Sequence, residues 1–218
     1  MTNRRTPPRA AAAAAALAAA VLALGACGAA DGVSRVSATL AKAPVEQVKV
    51  VTPVAWPAVD SLVDVPVADR PAEEGVRVAS LRVPRWGEDY EVPITEGITD
   101  HILDTMGMGR FPWSEMPGQE GNFALAGHRT DASRPLAQID TLELGDELLV
   151  TTDLGTYTYA VTGTEIVTPD QVRVVEPNPA TGGEDPVGRL LTLVSCHPWD
   201  SSEFRYIVYA ELSAFEAA

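Results

Sequence analysis

Cys196 and Arg205 are the residues whose types and spacing point most directly to covalent chemistry. Cys196 closes an apolar, strand-like run that begins at Leu190, and Pro198 ends that run because a proline cannot donate into a sheet ladder. Arg205 stands near the start of a second run with the period of two that is typical of a strand. A thiolate that attacks a carbonyl, with a fixed cation to hold the oxyanion, performs acyl transfer. The pair therefore predicts acyl transfer with a cysteine nucleophile.

His128 is the predicted proton-transfer partner of Cys196. The chain has three histidines, of which His101 lies near a predicted helix start and is interpreted as a surface residue. His197 adjoins Cys196, but consecutive strand residues point to opposite faces, so it is poorly placed to hold the thiol proton. His128 ends a different strand-like run and follows Gly127, whose missing side chain permits close backbone approach. His128 is thus the better candidate base.

Each of these residues also has a purely structural interpretation. A free cysteine is most often a small buried hydrophobic residue. Arg205 would then be a surface cation on a strand, and the protein would be a tethered β-domain that binds peptide or cell-wall material without catalysis. A cysteine peptidase that releases its acyl group to water is a further alternative. The catalytic interpretation is favoured because Cys196, His128 and Arg205 all fall at strand ends of one exported domain.

Short strand-like segments must position these residues. They are separated by turn sequences at regular spacing, and the only helix predicted is a short one over 100–106, with Thr99 as its cap. This pattern predicts an all-β fold, a barrel or a sandwich. The long loop 169–186 precedes the cysteine strand and is expected to border the site. The strand-like segments are 76–83, 90–94, 122–129, 147–152, 156–168, 190–197 and 204–212.

The first 26 residues have the pattern of an export signal. Three arginines among the first nine residues precede an alanine-rich apolar run over 10–26. The run ends in Leu24-Gly25-Ala26-Cys27, which is similar to the lipobox of bacterial lipoproteins and predicts lipidation of Cys27. The alternative is an uncleaved membrane anchor, although the run is shorter than the ~20 apolar residues that span a bilayer. Both interpretations place the domain on the outer face of the cytoplasmic membrane, towards the cell wall.

Residues 27–76 are predicted to form an extended linker, and residues 77–218 the folded domain. Prolines spaced along 44–71 prevent long helices and favour an extended, semi-rigid chain. The valine-rich run 45–54 has an alternative interpretation as a strand or an interacting segment.

Composition excludes one class of partner. The 218 residues carry a formal net charge of −14, and without the three arginines of 1–26 the 13 basic against 30 acidic residues give −17. Such a surface repels phosphate backbones, so we expect no nucleic-acid binding. The two cysteines, Cys27 and Cys196, lie in such different contexts that no disulfide framework is predicted.

Two motifs resemble one known family. Thr192-Leu193-Val194-Ser195-Cys196 resembles the Thr-Leu-x-Thr-Cys signature of sortases, and residues 122–129, Asn-Phe-Ala-Leu-Ala-Gly-His-Arg, resemble the catalytic-histidine strand of class E sortases of actinobacteria. The resemblance covers residues 77–213. The sequence departs from the family at Ser195, where threonine is usual, and in the predicted lipobox, where a transmembrane helix is usual. It implies a closed β-barrel of about eight strands with one or two short helices.

The resemblance also implies an activity. A sortase is a cysteine transpeptidase that cuts between threonine and glycine in a Leu-Pro-x-Thr-Gly or, for class E, Leu-Ala-x-Thr-Gly sorting signal of a surface protein. Cys196 would form a thioester, His128 would act as acid and then base, and Arg205 would hold the substrate backbone and the oxyanion. Thr192 and Ser195 would support the substrate groove. The acceptor would be an amine of a peptidoglycan precursor or a pilin lysine, and neither a metal nor an organic cofactor is implied.

Overall fold

The computed structural model describes residue 62 and residues 64–71, 73–131 and 133–218. The predicted signal over 1–26, Cys27 and most of the predicted linker lie outside the described residues. No helix in the described ranges is both long enough and apolar enough to cross a membrane. The strands are β1 (Arg77–Arg82), β2 (Glu91–Glu96), β3 (Met108–Arg110), β4 (Gly121–Ala126), β5 (Glu147–Thr152), β6 (Gly155–Val167), β7 (Arg189–His197) and β8 (Phe204–Ala217). The helices are α1 (Asp100–Thr105) and three 3-10 turns at Pro84–Trp86, Ile139–Thr141 and Val172–Val175.

The eight strands close into a barrel in the order β1-β2-β3-β4-β7-β8-β6-β5. The pairs β2/β3 and β4/β7 are parallel, and the other pairs are antiparallel. A barrel of this size has an interior that side chains fill. The predicted closed β-barrel of about eight strands with one or two short helices is confirmed.

Alternation along β7 and β8 decides which side chains fill the barrel. Leu191 and Leu193 of β7 and Val208 and Ala210 of β8 are fully buried in the interior cluster. Since successive strand residues face opposite sides, the even-numbered residues of β7, including Cys196, face outwards. The thiol therefore lies on the outer surface of the sheet.

A second, smaller apolar cluster covers part of that outer surface. Val174 and Val175 of the 3-10 turn pack against Ala124 of β4, Val167 of β6 and Ile207 of β8. The loop 169–186, which the sequence predicts to border the site, is thus held on the sheet by buried valines.

β3 lies in a stretch where the sequence analysis found no strand. Arg110, at its end, is fully buried and pairs with Glu96 through two contacts, Nε to Oε2 at 2.6 Å and Nη2 to Oε1 at 2.7 Å. A three-residue strand closed by a buried ion pair has no apolar alternation to reveal it. The predicted helix is present as α1, but Thr99 occupies its N-cap position without a side-chain capping bond.

Residues directly before the barrel also contact it. Leu62 and Val65 pack against the interior cluster, the Tyr157 hydroxyl donates to the Pro66 carbonyl at 2.8 Å, and Arg70 Nη2 donates to the Ser114 carbonyl at 2.8 Å. These residues fall within the range predicted as an extended linker. The packed part of the chain therefore begins before residue 77.

Candidate active site

Cys196 and Arg205 face each other across two neighbouring strands. Cys196 is the next-to-last residue of β7, and the antiparallel register places it directly opposite Arg205 of β8. Side chains at directly opposed positions share a face, with Cβ atoms about 4.5–5.5 Å apart. Cys196 is a free, half-buried thiol. The thiol and the guanidinium therefore meet on the outer surface at one end of the barrel.

The Arg205 guanidinium is held by the loop between β7 and β8. Its Nη1 donates to the carbonyl oxygens of Ser202, at 2.9 Å, and Phe204, at 3.0 Å. Guanidinium carries five N–H donors in a fixed fork. Nε and Nη2 make no hydrogen bond with the described residues, so they remain available to a ligand.

His128 reaches the same surface through the parallel pairing of β4 with β7. Ala126 is the register partner of Val194, and the Gly127 N–H donates to the Val194 carbonyl at 3.2 Å as the last bond of this ladder. The next carbonyl, that of Gly127, accepts from Ser195 Oγ at 2.8 Å, so His128 leaves β4 beside the end of β7 that carries Cys196. The exits of β4 and β7 thus direct His128 to the end of the barrel where Cys196 and Arg205 are paired.

Asp104 is a fourth member of this constellation, which sequence reasoning missed. His128 Nε2 lies 2.8 Å from Asp104 Oδ1, near the end of α1. The carboxylate holds one ring nitrogen, and Nδ1 remains for another partner. No pattern in the sequence marked Asp104, because the contact depends on how α1 packs beside the exit of β4.

His197 lies on the other side of the sheet from Cys196. Its ring centroid is 5.7 Å from that of Tyr206, which packs against the interior cluster, and its Nδ1 accepts a hydrogen bond from Arg129 Nη1 at 3.1 Å. Burial, with the positive charge of Arg129, lowers the pKa of His197, and the opposing effect of Asp140 is smaller. His197 is thus a neutral acceptor within the scaffold, pointing away from the thiol.

Arg129, the residue after His128, clamps three segments together. Its buried guanidinium lies 2.5 Å from Oδ2 of Asp140, in the 3-10 turn Ile139–Thr141, and 5.6 Å from the centre of the Trp199 ring in the β7–β8 loop. Arg129 belongs to the motif of residues 122–129, but nothing in that motif indicates its role. Its position indicates that it fixes the backbone from which His128 projects.

Thr192 and Ser195 are enclosed. Thr192 is fully buried, and its Oγ1 donates to Asn122 Oδ1 at 2.8 Å. The Asn122 amide in turn donates to the Val174 carbonyl at 3.1 Å, which ties the covering loop to the sheet. Ser195 Oγ donates to the Gly127 carbonyl at 2.8 Å and fixes the turn before His128. Both hydroxyls form hydrogen bonds with the protein itself. They can therefore support a substrate groove only by holding Asn122 and Gly127 in place.

The outer-face constellation has the parts needed for covalent acyl transfer. It combines a thiol, an imidazole with one nitrogen held by a carboxylate, and a guanidinium with free donors. These groups can respectively attack a carbonyl, carry a proton and stabilise an oxyanion. Among the described residues there is no group of three His, Cys, Asp or Glu side chains that could hold a metal ion.

Residues 81–213 match the family profile described as the sortase domain. The chain belongs to the sortase family. It is 35% identical over 147 residues to sortase SrtE1 of Streptomyces coelicolor, a match that covers 64% of this chain and 41% of that protein. The chain therefore spans less than half the length of that relative. Sortase A of Bacillus anthracis is 31% identical over 163 residues, which cover 71% of this chain and 73% of the relative.

Solved sortase structures have the same fold. The SrtA sortase from Actinomyces oris superposes with a TM-score of 0.67 at 33% identity, covering 72% of this chain and 89% of that one. Sortase E1 from Streptomyces coelicolor, solved with a tripeptide in the active site, gives a TM-score of 0.60 at 32% identity, with 65% and 90% covered. Together with the relative SrtE1, these matches confirm the predicted likeness to class E sortases.

Proposed function

We propose that this protein is a cysteine transpeptidase that cleaves a Leu-Ala-x-Thr-Gly or Leu-Pro-x-Thr-Gly sorting signal between threonine and glycine. The single observation that supports the proposal is the direct opposition of Cys196 and Arg205 at the end of β7 beside which β4 ends, two residues before His128. Membership of the sortase family supports the same reaction. The clients would be surface proteins that carry such a signal.

The first half of the reaction forms a thioester. The Cys196 thiol passes its proton to His128 as its sulfur attacks the threonine carbonyl carbon, and the electron pair of the C=O bond moves onto oxygen. The free Nε and Nη2 donors of Arg205 stabilise this oxyanion. When the oxyanion collapses, the C–N bond to glycine breaks, and His128 donates a proton to the leaving amine. The acyl group remains on sulfur.

The second half transfers the acyl group to an acceptor amine. The amine attacks the thioester carbonyl, His128 removes a proton from the amine, and the C–S bond breaks to release the thiolate. Asp104 acts here as a positioning residue, because a carboxylate that accepts from Nε2–H leaves Nδ1 as the nitrogen that takes up and releases the transferred proton. His128 then returns this proton to the Cys196 sulfur, which restores the starting state of the site.

The acceptor amine comes from outside the barrel. The described residues include no lysine, since the two lysines of the chain are Lys42 and Lys49. An amine of a peptidoglycan precursor or a pilin lysine fits an exported enzyme beside the cell wall. The tether would be a lipid on Cys27 or an uncleaved anchor, and mass spectrometry of the native protein, by finding residues 1–26 removed or retained, decides between them.

A cleavage assay tests the proposal. The full chain in detergent is incubated with a fluorogenic Leu-Ala-x-Thr-Gly peptide, with and without an amine acceptor, and the products are weighed. We expect Cys196→Ala to abolish cleavage and Cys27→Ala, the matched control at the other cysteine, to preserve it. His128→Ala should also abolish turnover, and His197→Ala should largely spare it.

The alternatives give different results in this assay. Cleavage that survives Cys196→Ala would falsify the nucleophile assignment. Product formed only with water, even with the acceptor present, would indicate a hydrolysing cysteine peptidase. Peptide binding without any turnover by the wild type would indicate a non-catalytic binding domain.

A further inference from the structure

A cleft of about 630 Å³ lies on the outer surface of β6 and β8, at the far end of β7 from Cys196. Leu190, in its wall, is six residues before Cys196 on β7, which corresponds to about 20 Å along the strand at roughly 3.3 Å per residue. The cleft is therefore separate from the candidate active site. Its remaining walls come from residues 162–165 of β6, from Tyr209 and Glu211 of β8, and from the covering segment 173–187.

The cleft has the size and the walls of a ligand site. Volumes of about 300–1,000 Å³ with mainly apolar walls and a few polar groups are typical of such sites. Pro179, Ala180, Val187 and Leu190 form the apolar part of the lining. Val187 is 60% exposed, so this wall presents apolar surface to solvent.

At one end of the cleft the charges are already matched. The Arg173 guanidinium pairs with Glu165 and also donates to the Pro179 carbonyl at 2.7 Å. The Tyr209 hydroxyl donates to Glu165 Oε2 at 2.9 Å. Burial, with the nearby charge of Glu165, raises the pKa of Tyr209, so the phenol stays neutral and keeps donating. Arg173 therefore has little charge left to offer an anion.

At the other end, Glu211 is the charge without a partner. It forms no ion pair within the described part of the chain. Gly188 leaves room beside it, because a Cβ built on Gly188 would lie 3.2 Å from Glu211 Oε1. With Glu165 matched by Arg173, the lining carries one net negative charge next to an apolar wall.

We propose that this cleft binds the lysine-type side chain of a peptide, an aliphatic stem that ends in a primary ammonium. The stem lies along Pro179, Val187 and Leu190, and the ammonium pairs with Glu211, an arrangement that suits a long side chain with an apolar body and a charged tip. At about 20 Å along β7, an ammonium bound here is out of reach of a thioester on Cys196. The cleft therefore anchors a peptide and does not deliver the attacking amine.

Direct binding tests this site without any need for catalysis. Fluorescein-labelled peptides that differ only in one central residue, lysine, norleucine or glutamate, are titrated with the full chain and followed by anisotropy. We expect the lysine peptide to bind about threefold to fivefold more tightly than the norleucine peptide, because only lysine can pair with Glu211. Equal affinity for the two peptides would overturn the proposal.

Two variants locate the binding. Glu211→Gln should lower the affinity for the lysine peptide to that for the norleucine peptide. Glu216→Gln, the matched control on the same strand outside the cleft, should leave the affinity for the lysine peptide unchanged. Val187→Arg places a cation and extra bulk at the exposed rim and should abolish binding even if Glu211→Gln proves unstable. Unchanged affinity in both Glu211→Gln and Val187→Arg would contradict the assignment.

A competition experiment separates this cleft from the candidate active site. Methylthiolation of Cys196 should leave lysine-peptide binding intact. If that modification, or an excess of sorting-signal peptide, displaces the lysine peptide, the binding belongs to the Cys196 site and the proposal fails. None of these binding experiments requires cleavage of a peptide. A protein that binds the lysine peptide but cleaves no sorting signal would therefore contradict the proposed transpeptidase function and leave the proposed cleft site standing.

Discussion

Arg129 donates a hydrogen bond to Nδ1 of His197 over 3.1 Å, and so joins the residue after the proposed base to the residue after the proposed nucleophile. The two partners lie on the opposite side of the sheet from His128 and Cys196. Their bond links the exits of β4 and β7, which carry the two reactive side chains. The relative position of thiol and imidazole therefore depends on a contact that touches neither.

Loss of this clamp should reduce both stability and turnover. Arg129→Gln removes the ion pair with Asp140, the bond to His197 and the contact with Trp199. We expect the free energy of unfolding to fall by about 1–3 kcal/mol, the cost of a hydrogen bond to a charged group, since Asp140 remains solvated. Urea unfolding measures the change. Arg82→Gln, at an exposed position in β1, is the control, and an equal loss there would show that any lost arginine has this effect.

His197 should make stability depend on pH. Its pKa is lower in the folded protein than the ordinary value of about 6.5, because of burial and Arg129. Below pH 6.5 the unfolded chain therefore binds a proton before the folded chain does, so this residue's contribution to stability is present above that pH and is lost as pH falls. Melting temperatures between pH 7.5 and 5.5 should fall less in His197→Gln than in the wild type. His101→Gln, at an exposed position, should follow the wild type, and a flattened profile there would contradict the assignment.

Asp104 should act on kcat and leave KM nearly unchanged. Asp104→Asn weakens the hold on His128 Nε2 without removing a group that contacts substrate. We expect kcat to fall about tenfold, part of the 10²–10⁴-fold contribution of a general acid and base. Asp104→Glu should recover part of the loss, and Asp100→Asn, on the same helix, should have no effect. Steady-state kinetics check this, and a rise in KM with kcat unchanged would show that Asp104 serves binding instead.

Arg205→Lys should lose activity although it keeps the positive charge. Lysine is a point charge, and it cannot hold the loop carbonyls and present two further nitrogens from one rigid fork. We expect kcat/KM to fall by about 10²–10³-fold, as for the loss of an oxyanion donor. Arg189→Lys, at the other end of strands β7 and β8, is the control. If both variants lose activity in step with melting temperature, the effect is structural and the oxyanion role is wrong.

The outer-face placement of Cys196 and Arg205 could be predicted because it follows from strand alternation. Leu191 and Leu193 reveal which side of β7 is buried, and the neighbouring residues must face outwards. The turn between β7 and β8 is short, so the opposition of the two residues is nearly local. Contacts between residues close in the chain can be predicted from the alternation pattern of a single sequence.

Asp104 and Arg129 could not be assigned in the same way. Asp104 reaches His128 from a helix, and Arg129 meets Asp140 and His197 where three separate segments converge. No periodicity encodes such contacts, because polar side chains on short irregular segments look like ordinary surface residues. The strand β3 was missed for the same reason, since a buried arginine marks it.

The parallel pairing of β4 with β7 fixes the order in which the site can assemble. Arg205 pairs with Cys196 across one hairpin, but Gly127 and Ser195, whose bond brings His128 into place, are 68 residues apart in the chain. Contacts of long sequence separation form late, because the intervening loop must first be closed. A chain in which the β7–β8 hairpin has formed and the β4/β7 pairing has not therefore carries a thiol that has its guanidinium neighbour and lacks its imidazole. The complete constellation forms only when the barrel closes.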